Sequence, residues 1–183
     1  METQQQPTIT IDIVFDRNQA REALRALLHA ILFHRLFGIV KPQKFDVLDV
    51  TFPGVKDAQI EMLVDERVEA FWTGMEKDPG KQAQITVTFS EKRQRRTWFT
   101  MGEEEVPWEK WIINAKVRQP RPEEAAAFRE ELSSALSNAL MTILTHSSSE
   151  QGRAAVPPIT NASGISPFPL KISVKVGGVE VNV

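Results

Sequence analysis

The side chains of this chain best suited to chemistry are three histidines and one run of glutamates. His29 and His34 are five residues apart in a helical pattern, roughly 140° around its axis, so they cannot grip one metal ion together. His146 stands alone beyond a later helical pattern, and all three read as packed or solvated rings. Glu103, Glu104 and Glu105 follow one another on an extended segment. Consecutive residues there point to alternate faces, which makes a poor cation cage and a good solvated charge run. There is no cysteine, so disulfides, thiolate metal sites and cysteine nucleophiles are excluded, which fits a reducing compartment. No glycine-rich phosphate loop, GxSxG or HExxH occurs. We therefore expect no catalytic residue, no cofactor and no metal.

A second grouping suits recognition better than catalysis. Lys92, Arg93, Arg95 and Arg96 precede Trp98 and Phe99, and the glutamate run follows. Basic residues beside aromatics have the character of a nucleic-acid contact, and a nucleic-acid-binding module is the alternative function. The nearby glutamates weaken it, because in a hairpin they would pair across the strands with the basic run. The two aromatics have two readings. They fold back into the domain, which for strand neighbours takes an irregular turn, or they project and present themselves to a partner. A Trp buries roughly 150–250 Å² and is among the commonest binding hot spots. Trp108 and Trp111, in VPWEKW, differ: at least one should anchor the core, and their odd spacing sends the other toward an edge or interface.

The elements that must position these residues follow from periodicity. Thr8 to Phe15 alternates and is β-branched, a strand. Gln19 to Phe37 is helical and apolar over most of its circumference, the mark of a central helix packed on two sides. Phe45 to Phe52 reads as one strand stopped by Pro53-Gly54, and Asp57 to Thr73 as a second helix. Gln84 to Phe89 and Trp108 to Val117 are strands flanking the aromatic tip. Pro122 opens a third helix that runs to about Thr145. Ser147 to Pro169 reads as a long mobile loop, and Leu170 to Val183 as a hairpin around Gly177-Gly178. On the third helix, Leu140 and Leu144 drift from the stripe of Phe128, Leu132 and Ala135. They either widen that stripe or offer a second face to a partner. Hairpins and helices mix without regular alternation, so the class is α+β with a mainly antiparallel sheet packed against three helices.

The chain has 183 residues, 42% hydrophobic and 25% charged, with a net charge of −2. That suits one domain, at most two, with a substantial core and no whole-molecule attraction to polyanions. METQQQPTIT lacks the order of a signal peptide, so Asn161-Ala162-Ser163 is not read as a glycosylation site. No stretch of roughly 20 apolar residues offers a membrane span, and the chain reads as cytosolic or nuclear, with the cytoplasm the expected location.

LLHAILFHR (Leu27 to Arg35), the Trp-Phe pair after a basic run, VPWEKW (Val106 to Trp111) and PLKISV occur in this order. In these the chain resembles the autophagy-related protein 101 family of HORMA-domain proteins. The resemblance implies a single HORMA domain over 1–183, with the mobile loop at about 147–169 and an aromatic finger at about 92–105. It implies a non-enzymatic adaptor of the autophagy-initiation kinase complex, present at the phagophore assembly site. Such an adaptor pairs with and stabilises the HORMA domain of autophagy-related protein 13. It recruits downstream autophagy factors through a finger that maps to Trp98 and Phe99. In the family pattern one residue separates the two aromatics; here they are adjacent, so a turn is needed to project both. The chain ends soon after its last hairpin, which by analogy fits a domain that does not wrap a peptide beneath its own C-terminal segment.

Overall fold

A computed structural model of the chain describes residues 6–96, 101–160 and 164–182. The order is β1 (Thr8–Asp16), α1 (Ala20–Arg35), β2 (Pro42–Val47), β3 (Val50–Val55), α2 (Ala58–Lys77), β4 (Ala83–Arg96) and β5 (Met101–Arg118). Then come α3 (Ala125–Ser148), α4 (Glu150–Ala154), β6 (Leu170–Val176) and β7 (Val179–Glu180). Five strands form one sheet in the order β1-β5-β4-β6-β7, and β2 and β3 form a separate pair. Among the described residues only β1 and β5 run parallel; the other neighbours are antiparallel. The class is α+β, of the HORMA-like kind.

Alternation decides which face of the sheet is covered. Ile11, Ile113, Ile85 and Val174 stand in one cross-strand row, and all are buried. The next row, Thr10, Ile112, Thr86 and Ser173, is exposed or half-buried. The helices lie on the first face. α1 is enclosed by the sheet side within and by β2–β3 without, and eleven of its sixteen residues are buried, as its apolar circumference implies. Asp57 caps α2, its carboxylate accepting the N–H groups of Gln59 and Ile60. Gly177 and Gly178 both have positive φ, 58° and 82°, and make the predicted two-residue turn between β6 and β7.

Four expectations need correction. The single strand over Phe45 to Phe52 is a hairpin that turns at Leu48-Asp49, with Leu48 at φ 53°. Pro53-Gly54 does not stop it but lies inside β3, where a two-stranded pair leaves one edge free of ladder bonds. The segment from Ser147 is not loop throughout. α3 runs on to Ser148, Ser149 caps α4 by accepting the Gly152 N–H, and Phe168 is buried. Finally, Trp108 and Trp111 do not part to opposite sides: both are buried. The register shifts between Phe89, which faces Glu109, and Ser90, which faces Pro107. Trp108 is the extra residue of a β-bulge, and the bulge re-aims it inward.

Candidate protein-interaction surfaces

The bulge divides the β4–β5 hairpin in two. On the sheet side, β6 supports β4 as far as Phe89, and β1 supports β5 from Lys110. Beyond it the two strands continue alone, paired to Arg96 and Met101. This ribbon is exposed and charged. Lys92 reaches Glu103 at 3.8 Å and Arg95 reaches Glu104 at 3.9 Å, the cross-strand pairing expected of the two runs. Arg93 Nε donates to Glu91 along its own strand at 2.6 Å. The field of the basic run is therefore largely spent locally. Trp98 and Phe99 belong to the connection between the strands and lie outside the described residues.

At the root of the ribbon the chain is anchored by rings. Trp108 lies 5.6 Å from Phe89 and 5.3 Å from Phe168 between ring centroids, and Phe168 lies 6.1 Å from Phe37. Immediately beside this cluster is a buried polar node. Arg35 donates from Nε and Nη2 to the two carboxylate oxygens of Glu109, both at 2.7 Å. Trp111 Nε1 donates to the same carboxylate at 2.6 Å, and His146 Nε2 lies 2.9 Å from it. Arg35 Nη2 also donates to the carbonyl of Gly152 at 3.2 Å. One carboxylate thus ties α1, β5, α3 and, through Arg35, α4 together. Charges this deep persist only when paired and hydrogen-bonded. Nothing local in the sequence marks Arg35 and Glu109 as partners or joins His146 to them. The available signal was a charged residue on the apolar circumference of α1 and another between two Trp.

His29 is the other buried polar ring. Its Nδ1 accepts the Val55 N–H at 3.2 Å, and it packs 4.5 Å from Phe45 between centroids. Burial lowers its pKa from 6.5 to about 4, against the pull of Glu61 and Asp65. His34 turns Nδ1 to the carbonyl of Ala30 at 2.7 Å, so that nitrogen carries the proton. The three rings stay apart, and no group of His, Asp and Glu suited to a metal ion occurs among the described residues.

On α3 the structure separates the two leucines. Leu140 is half-buried and packs against the core. Leu144 is exposed and lines an open groove of about 520 Å³ with His34, Phe37, Arg153 and Val156. Among the described residues no helix is long and apolar enough to cross a membrane.

A comparison with known families matches residues 12–163 to the family described as Autophagy-related protein 101. The chain belongs to this family. Members named Autophagy-related protein 101 include one from Arabidopsis thaliana, 38% identical over 105 residues, or 56% of this chain. The match spans 48% of that relative, about half its length. A second, from Schizosaccharomyces pombe, is 27% identical over 161 residues, covering 88% of this chain and 84% of the relative. The role of this family member is in autophagy.

Proposed function

We propose that the protein is a non-enzymatic adaptor of the autophagy-initiation kinase complex. It pairs with and stabilises the HORMA domain of autophagy-related protein 13 through α3, with exposed Leu144 and the accessible part of half-buried Leu140 at the contact. Through Trp98 and Phe99 it recruits downstream autophagy factors, working in the cytoplasm and at the phagophore assembly site. The observation that carries this reading is the ribbon. β4 and β5 stay paired as far as Arg96 and Met101, well past Phe89 and Lys110, where β6 and β1 last support them, so the described part of the hairpin extends beyond the sheet. The groove beside Leu144 supports the second contact, because its Phe37 and Val156 offer further apolar surface for a partner.

The test is Trp98→Ala with Phe99→Ala. Melting temperature and pairing with the HORMA partner stay near wild type, while recruitment to autophagosome-forming sites drops. A loss of several kcal/mol, the cost of truncating core aromatics, would show that the rings are packed inside and end the finger reading. Leu144→Asp removes pairing at little cost in stability, because the side chain is exposed. The nucleic-acid alternative predicts a complex at low salt in an electrophoretic shift assay, and the ion pairs of Lys92 and Arg95 speak against it.

A further inference from the structure

The far end of β5 from the ribbon carries a feature that neither proposed contact uses. β1 and β5, the parallel pair, finish side by side there, Asp16 opposite Arg118. A cleft of about 330 Å³ lies at this point, lined among others by Arg17, Trp72, Met75, Glu76, Val117 and Arg118. Its floor is apolar, since Trp72 and Met75 are buried and Val117 is half-buried. Trp72 is held from one side by Arg21, whose guanidinium lies 4.5 Å from the ring centroid and is itself tied to Glu69 at 3.0 Å. Arg17 lies 5.6 Å from the same ring, is exposed, and forms no ion pair among the described residues. Its backbone N–H donates to the carbonyl of Arg118 at 3.0 Å, which keeps both arginines on one rim. Arg118 is shared with Glu124 at 3.0 Å. α1 begins just after Arg17, and its first turn has no side-chain cap.

We infer that this cleft docks a short acidic segment of a partner protein, a carboxylate side chain next to a bulky apolar one. The floor of Trp72, Met75 and Val117 takes the apolar group. The rim arginines take the carboxylate through charge-assisted hydrogen bonds. Glu76 on the rim and Glu124 behind Arg118 repel a dianion more strongly than a monoanion, which favours a carboxylate over a phosphate. The volume is near the lower end of ligand pockets, about 300–1,000 Å³, and gives room for one large side chain as an anchor.

The experiment is an NMR titration of the isotope-labelled full chain with the capped peptide Ac-Gly-Asp-Phe-Gly-NH2. Parallel titrations put Asn or phosphoserine in place of Asp, or Gly in place of Phe. Saturable shifts are expected at the Trp72 indole, Met75 and Val117 to Gln119. Binding should weaken tenfold or more with the Asn and Gly peptides, and for Arg17→Gln with Arg118→Gln. Should the double variant melt early for want of its Glu124 pair, Arg17→Gln alone must still lose threefold. The inference fails if these signals do not saturate, if shifts fall only on the ribbon, if the phosphoserine peptide binds as well as the Asp peptide, or if Arg17→Gln binds like wild type.

Discussion

On the two sides of the Trp108 bulge the chain builds arginine–glutamate contacts of opposite kinds. Outside it, Arg95 and Glu104 sit 3.9 Å apart with side chains 68% and 47% exposed. Inside it, Arg35 and Glu109 meet at 2.7 Å with 3% and 0% exposed. Water screens the first pair, so its contribution is no more than about 1 kcal/mol. The second pair has given up its hydration, and each partner now depends on the other. The same two residue types therefore keep a ribbon soluble and registered in one place, and lock four elements together in the other. Solvent, set by the bulge, makes the difference.

Breaking the inner contact should have the largest effect. Glu109→Ala leaves the Arg35 guanidinium buried without its counter-charge and the Trp111 N–H without an acceptor. The expected loss is about 3–5 kcal/mol, or roughly 10 °C in melting temperature for a chain of this size. Arg35→Met with Glu109→Leu sharpens the comparison, because it removes both charges. It should cost clearly less than Glu109→Ala alone, with the residual loss coming from the Trp111 N–H. Equal costs for the single and the double variant would mean that the pair is unimportant and packing alone was measured.

His29 gives the next largest effect, through pH. Its pKa is about 4 in the fold against 6.5 for an unperturbed histidine, chiefly because it is buried. Between those values the unfolded chain binds the proton and the fold does not. Stability is therefore full above pH 6.5 and falls as the pH drops toward 4, by roughly 3 kcal/mol in all. Protonation must add at Nδ1, which breaks the bond from the Val55 N–H. His29→Gln keeps an acceptor for that N–H and has nothing to titrate. Denaturant unfolding at a series of pH values should show a flatter profile for the variant over this window, and parallel profiles would assign the acid sensitivity elsewhere.

Legibility in the chain followed how local each cause was. α1 could be read because its apolar circumference is a property of sixteen consecutive residues, and the β6–β7 turn because Gly177-Gly178 marks it. The β2–β3 hairpin was hidden. Only the adjacent apolar pair Val47-Leu48 breaks the alternation of FDVLDVTF, and Leu48 takes a positive φ with none of the Gly or Asn that announces one. The bulge was hidden because it exists only relative to β4, and with it went the correct side of Trp108. The node was the least legible part of all. Arg35 and Glu109 are 74 positions apart and Glu109 and His146 are 37 apart, so only the fold brings them together. The basic and acidic runs were legible as a pair of facing strands, since both are local and one short connection joins them.

The smallest effect belongs to the ribbon, and its smallness is informative. Lys92→Glu with Arg95→Glu puts like charges diagonally across the strands from Glu103 and Glu104. Both sites are exposed, so the loss should stay near or below about 1 kcal/mol and shrink further as salt rises past the physiological range. Adding Glu103→Lys and Glu104→Arg restores the pairing with its sign reversed and should recover most of the loss. A loss as large as that of Glu109→Ala, insensitive to salt, would mean that the ribbon packs against something and is not solvated. That result would also undercut the finger, since a ribbon laid on the domain cannot hold Trp98 and Phe99 away from it. If the loss is small and recruitment survives both charge patterns, the ribbon's charges serve its solubility and the recognition rests with the two aromatics.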